Sequence, residues 1–274
     1  MFIDAHQHFW KYDPFHYDWI SDQMSVIRKD FLPENIFIEL KNNNIQGCIA
    51  VQAQQTELET EFLIELANKN SFIKGIVGWV DLFDENIKDR LDYFSKHKMI
   101  KGFREVLQNK DPGLMFEPSF IRGIKTLLDY HFTYDLLITP QHLKAACQLA
   151  KKFPDQLFVI DHLAKPFIKE GKIQEWKEDM KEISKCKNVY CKISGMVTEA
   201  DYSKWKETEI IPYIDVVVQF FGPDRIMFGS DWPVCLVAAS YQRATDMVKK
   251  YFSTFSEIEQ QQFFGDNAIT FYKL

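Results

Sequence analysis

The chain has 274 residues, 46% hydrophobic and 15% aromatic, with a formal net charge of −6. That is enough apolar chain for one large domain or two ordinary ones, and the interspersed acidic balance argues against nucleic acid or an anionic membrane as main partner. No stretch approaches the ~20 apolar residues that span a bilayer, no basic segment with an apolar run opens the sequence, and five cysteines without a CxxC pair suit reduced core thiols in the cytoplasm.

In chain order, the first predicted strand is the opening MFIDAH. Residues 9–32 follow, long, aromatic and poorly periodic, and are expected to form an ordered loop that covers the mouth of whatever the strands build. Short β-branched and apolar runs then recur as QGCIAVQ (46–52), FIKGIVGWV (72–80), MIKGFRE (99–105), FTYDLLI (132–138), QLFVIDH (156–162), NVYCKIS (188–194) and RIMFGSD (225–231). Helical periodicity lies between them. Ile87, Leu91 and Phe94 share one face in 84–97, and Ile173, Trp176, Met180 and Ile183 share one in 173–186. Ile210, Ile211, Ile214, Val217, Val218 and Phe221 form a broad stripe in 208–221. Strands that read as near-continuous apolar runs are buried on both faces. Eight of them alternating with helices predict an α/β fold, a parallel (β/α)8 TIM barrel. A doubly wound open sheet is the alternative, but no GxGxxG follows a strand. Without linker or repeat, residues 1–274 read as a single domain.

Chemistry in such a barrel sits where the strands end. The apolar runs end on His6 and His8, Gln52 and Gln54, Trp79 and Asp81, Arg104 and Glu105, Asp161, His162 and Lys165, Ser194, and Ser230 with Asp231. Residues i and i+2 of an extended segment share a face, so His6 and His8 point together. Two neutral imidazoles on one face suit a divalent metal, and His162 and Asp231 are the natural partners from distant strands. An isolated HxH is more often a solvated loop; the company of the other strand ends is what favours a site. Asp231, in FGSDWP, can orient a water and accept its proton, or it can cap a turn. Arg104 suits an ester carbonyl or carboxylate, or a structural ion pair. Glu105 falls on the opposite face of the strand from Arg104 and has three readings: a metal ligand, a partner for Arg104, or a buried structural acid. His16, His97, His131 and His142 lack such company.

The stretches IDAHQHFW (3–10), KGFRE (101–105), IDHLAKP (160–166), KISGMVTEADY (192–202), FGPDRIMFGSDWPVC (221–235) and GDNAITFY (265–272) resemble the amidohydrolase superfamily. Within it they are similar to the lactonase group, whose members open L-fucono- and L-rhamnono-lactones or 2-pyrone-4,6-dicarboxylate. The resemblance implies a distorted barrel and hydrolysis of a cyclic ester to the open acid. It implies that Asp231 is the general base for the attacking water, and that His6, His8 and His162 line the site and bind metal in many members. Some lactonases of the group are thought to work without metal, polarising the carbonyl with His and Arg, here His6, His8 and Arg104. This chain has no His after its fifth strand and no obvious bridging lysine. At most one divalent ion is therefore expected, zinc first, on His6, His8, His162, Asp231 or Glu105. Trp10, Gln52, Gln54, Trp79 and Lys165 supply aromatic faces and hydrogen bonds for a polyhydroxylated ring. Of the arginines only Arg104 stands at a strand end, which favours a neutral sugar lactone over a dicarboxylate. The competing readings are a pyrone-dicarboxylate lactonase and a metal-dependent decarboxylase or amide hydrolase of the same superfamily. The expected partner is a small-molecule lactone, and the expected state a monomer or homodimer.

Overall fold

A computed structural model describes residues 1–274. Eight parallel strands follow one another around a single sheet: β1 (Ile3–Gln7), β2 (Gly47–Val51), β3 (Ile73–Gly78), β4 (Ile100–Val106), β5 (Thr133–Leu137), β6 (Phe158–Ile160), β7 (Val189–Ile193) and β8 (Ile226–Phe228). Helices α1 (Pro33–Asn42), α2 (Glu57–Lys69), α3 (Ile87–Ser95), α4 (Pro118–Asp129), α5 (Leu143–Lys152), α6 (Gln174–Ile183), α7 (Glu207–Phe221) and α8 (Tyr241–Phe252) follow the strands in turn. The fold is the (β/α)8 barrel that the alternation of apolar runs and amphipathic segments predicts. Local chemistry sets its helix starts. The Thr56 hydroxyl accepts from Glu59 N at α2 and the Ser240 hydroxyl from Arg243 N at α8, each at 3.1 Å. No helix is long and apolar enough to cross a membrane, and all five cysteines are buried and unpaired.

The seam between β8 and β1 is closed by isolated bonds rather than a ladder. Asp231 N donates to His6 O at 2.8 Å and His8 N to Trp232 O at 2.7 Å. The Asp4 carboxylate accepts from Ser230 N at 2.9 Å and His6 N at 3.2 Å, clasping the two strands together. A register shift between Asp4 and Gln7 belongs to the same seam. Ala5 joins the lumen while Asp4 meets Tyr241 of α8, and after the shift His6 also turns inward.

The lumen is layered. Two short helices, α9 (Glu257–Gln261) and α10 (Asn267–Tyr272), end the chain, and Ala268, Phe271 and Tyr272 plug the closed end against Ile3, Ala5, Ile49, Val51, Val77, Val159 and Met227. Above this apolar plug come charged side chains, and above those the histidines. Residues 9–32 leave the open end beyond β1. Trp10 and Phe31 exchange backbone hydrogen bonds at 2.9 Å, and the Phe31 ring lies 5.1 Å from that of Trp232. The segment therefore packs on the turn after β8, with a short helical turn at Asp22–Ile27.

Candidate active site

β1 and the residue just past it deliver His6 and His8, the turn after β6 delivers Asp161 and His162, and the turn after β8 delivers Asp231. All five side chains are buried. Three imidazoles converge on one oxygen: Asp231 Oδ1 lies 3.4 Å from His8 Nε2, 3.8 Å from His162 Nε2 and 3.9 Å from His6 Nε2. Two glycines make this crowding possible. A Cβ on Gly229 would meet the His6 Cβ at 2.7 Å, and one on Gly195 would meet His162 Nδ1 at 2.5 Å. The backbone that aims these groups is itself strained. His162, Leu163, Ala164 and Lys165 have φ of 52°, 55°, 59° and 49°, and Asp231 has φ of 59°, all left-handed and none of them glycine. The left-handed turn is also why β6 stops at Ile160 although Leu163 and Ala164 are apolar.

Hydrogen bonds fix what each ring presents. His8 Nδ1 lies 2.8 Å from the carbonyl of Val51, which can only accept, so Nδ1 carries a proton and Nε2 is the atom turned into the site. That nitrogen faces the Asp231 carboxylate across 3.4 Å. Burial holds the His6 and His162 rings well below the ordinary histidine range against the opposing pull of Asp161 and Asp231, so they are neutral at pH 7. Burial works to raise the Asp231 carboxyl, but the positive charge that His162, His8 and Lys165 can carry beside it outweighs burial, and the group lies below the ordinary carboxylate range. Imidazole nitrogens and a carboxylate oxygen at this separation can be bridged by a proton or by a metal ion. Donors around a tetrahedral zinc at ~2.0–2.1 Å stand about 3.4 Å apart, close to the separations here. His6, His8 and Asp231 form one group of donor atoms within 4.8 Å of one another, and His6, Asp161 and His162 form another. The residues fit a divalent ion.

The other expected residues are distributed differently. Arg104 points inward on β4, where Nη1 donates to Asp161 Oδ2 at 2.9 Å and lies 3.3 Å from His6 Nε2, and Nη2 bonds Gln52 O. Because β4 runs on to Val106, Glu105 faces the other way. Its oxygens accept from Trp79 Nε1 at 2.8 Å and Lys110 Nζ at 2.6 Å, and the structure does not bring it to the histidines. Gln52 is fully buried, its amide donating to Arg104 O at 3.1 Å. Trp10 is also fully buried behind His8, with its indole N–H on Lys29 O at 2.9 Å. Gln54 and Trp79 are half-buried, and Lys165 is too, paired with Glu199 at 2.5 Å. His142 is buried and occupied by Thr139 and Lys110 O.

Several residues at the site lie in places where strand ends alone would not reveal them. Asp135 and Lys192 sit in the middle of β5 and β7, fully buried, with Nζ 2.5 Å from Oδ2. Tyr272, two residues from the end, donates its hydroxyl to Asp135 at 2.9 Å. The available signal was a charge inside an apolar strand, which a barrel tolerates only when another strand supplies its partner.

The Amidohydrolase family pattern matches residues 3–274. The chain belongs to the amidohydrolase family. Among proteins similar to this amidohydrolase is the L-fucono-1,5-lactonase of Burkholderia multivorans, 34% identical, with 99% of this chain and 96% of the relative covered. The protein of the same name from Burkholderia ambifaria is 33% identical, with coverage of 87% and 82%. A crystal structure of an amidohydrolase from Burkholderia multivorans with bound zinc superposes with a TM-score of 0.97 at 33% identity, covering 100% of this chain and 99% of that one.

Proposed function

We propose that this amidohydrolase opens a neutral sugar lactone, an L-fucono-1,5-lactone type of ring, to the open-chain aldonate. The observation that carries the reading is the convergence of His6, His8 and His162 on one oxygen of an ionised Asp231. Two relatives named L-fucono-1,5-lactonase, similar over most of their length, support the substrate class. His6, His8 and Asp231, with His162 beside them, are the residues that would hold a divalent ion, and zinc suits imidazole and carboxylate donors. When bound, such an ion supplies Lewis-acid polarisation of the lactone carbonyl and acidification of water.

The residues of the chain account for the proton. Water adds to the carbonyl carbon while the Asp231 carboxylate takes its proton. The bond from that carbon to the ring oxygen then breaks, and Asp231 returns the proton to the ring oxygen, which leaves as a hydroxyl. The product acid ionises and releases one proton to solvent. Gln54, Trp79 and Lys165, half-buried around the mouth, contact the ring hydroxyls. Trp10 and Gln52 support His8 and Arg104 from behind. A neutral ring is favoured because the arginines are already engaged: Arg104 on Asp161 and Gln52, Arg28 on Asp22, Arg90 on Glu57.

Proton release with a pH indicator tests the reading on L-fucono-1,5-lactone, an L-rhamnonolactone and 2-pyrone-4,6-dicarboxylate, before and after chelation. The expected kcat/KM is at least about 100-fold higher on the sugar lactones than on the dicarboxylate. Activity is expected to fall on chelation and return with zinc. Equal turnover of both classes would refute the substrate reading, and full activity after exhaustive chelation would refute the metal reading.

A further inference from the structure

Beneath the histidines the lumen holds charge that the hydrolytic steps do not use. Lys192 is fully buried in mid-β7. Its ammonium lies 2.5 Å from Asp135 Oδ2, 3.1 Å from Asp161 Oδ1 and 3.1 Å from His6 Nδ1. Asp135 is fixed from below by the Tyr272 hydroxyl, 2.9 and 3.1 Å from its two oxygens. Asp161 is fixed from the side by Arg104 at 2.9 Å. Two cations thus face two carboxylates in a space where a barrel needing only volume would place Leu or Met.

The tautomer of His6 follows from this arrangement. Its Nδ1 stands between Lys192 Nζ at 3.1 Å and Asp161 Oδ1 at 3.2 Å. Were Lys192 to donate to Nδ1, the ring proton would sit on Nε2 and point at Arg104 Nη1, 3.3 Å away, donor against donor. With the proton on Nδ1 and turned toward Asp161 Oδ1, a buried oxygen 3.2 Å away that has no aligned hydrogen-bond partner, the Nε2 lone pair faces Arg104 and the Asp231 side of the site. Lys192 then bonds Asp135 and forms an ion pair with Asp161 at 3.1 Å, which keeps the Asp161 carboxylate beside the His6 ring. A carboxylate behind a metal-binding imidazole is the arrangement that orients the ring and strengthens its donor atom.

We propose that Lys192, seated by Asp135 and Tyr272, is a positioning residue that aligns Asp161 on His6 and so makes His6 Nε2 a zinc donor. The C-terminal helix thereby takes part in the metal site from the closed end of the barrel. The proposal rests on the reading that the histidine cluster holds a divalent ion, and it is independent of the lactone.

The deciding variant is D135N/K192M, which removes one charge of each sign and keeps the volume. Y272F, which removes only the hydroxyl that seats Asp135, is its milder companion. Zinc affinity is read by competition with a chromophoric chelator, ring geometry by the visible absorption of the cobalt-substituted protein, and folding by thermal unfolding of the metal-free chain. D135N/K192M is expected to fold with a melting temperature near wild type, to bind zinc about 10- to 100-fold more weakly, and to show an altered cobalt spectrum. Y272F should shift both metal readouts in the same direction by less. Zinc affinity within about twofold of wild type, with an unchanged cobalt spectrum, would overturn the proposal, because a filler role predicts that outcome. Should the double variant fail to fold, Y272F decides by the same criterion. Wild-type protein that binds no zinc would overturn the metal reading and this proposal together, whereas wild-type affinity in the variants overturns this one alone.

Discussion

Gly195 offers a sharp test of how the site is held. Its φ is +63°, and an added Cβ would sit 2.5 Å from His162 Nδ1 and 2.8 Å from Cγ, where ordinary contacts begin at 3.4 Å. In Gly195→Ala the imidazole must therefore retreat by about 0.9 Å, well beyond the ±0.2 Å within which metal–ligand distances hold. It would also strain the bond to Ser194 Oγ, now 2.8 Å, that orients the ring. The left-handed backbone adds about 1 kcal/mol for any residue with a Cβ, or about 2–4 °C in melting temperature for a domain of this size. Gly171 provides the control: its φ is +64° and nothing lies within 4 Å of its Cβ position. Gly171→Ala should lower the melting temperature by a similar amount and leave zinc affinity and kcat/KM unchanged. Gly195→Ala should add a roughly 10- to 100-fold loss of zinc affinity and a larger loss of kcat/KM. Thermal unfolding with chelator present, zinc competition and proton-release kinetics separate the two effects. If Gly195→Ala matched Gly171→Ala in all three, the ring contact would have no functional consequence and the reasoning would fail.

Asp231→Asn keeps the shape of the side chain and removes the proton acceptor; kcat for lactone opening should fall by about 10²–10⁴, and an unchanged kcat would remove Asp231 from the role of base. Glu59 supplies a pH prediction away from the histidines. Burial raises its carboxyl from 4.5 to about 7, against the backbone N–H groups of Gln54 and Ala53, which favour the ionised form. A carboxyl raised on folding contributes stability that is full below 4.5 and is lost as pH rises through 7, an effect of roughly 3 kcal/mol. Glu59→Gln should therefore gain on wild type between pH 5 and pH 8 in urea midpoint, and an identical pH slope in both proteins would count against the assignment.

The barrel was legible because its strands are buried on both faces: runs such as GCIAV in β2 and IKGIVG in β3 have few polar positions to confuse the period. The strand ends were legible for the opposite reason, since polar residues there interrupt apolar runs at the face where loops gather. Pairing was not. Arg104 and Glu105 could be assigned to opposite faces, yet nothing local says that Asp161 takes Arg104 while Trp79 and Lys110 take Glu105. The charged layer beneath the histidines was hidden for the same reason. Asp135 and Lys192 belong to runs that satisfy the apolar pattern, and they neutralise each other across two strands, fifty-seven residues apart in the chain. Gly229 is a place of close approach, and the approaching group is the His6 side chain, which a linear pattern cannot name.

The run from His162 to Lys165 shows why glycine would not serve where the backbone favours it. Four consecutive left-handed residues cost roughly 1–2 kcal/mol each relative to the right-handed conformation. The conformation persists because three of the four residues are anchored. His162 bonds Ser194, Leu163 is buried with its carbonyl taking Trp176 Nε1 at 2.8 Å, and Lys165 reaches Glu199 at 2.5 Å. Lys165 N closes the turn on His162 O at 2.7 Å. Glycines here would relieve the strain and release the anchors with it, leaving the His162 ring free to turn away from Asp231. Gly195 opposite is the converse case, since there the missing Cβ is the space that the His162 ring occupies. Strain on one strand end and an absent side chain on the next are therefore two halves of one device, and its product is a third imidazole aimed at the Asp231 carboxylate.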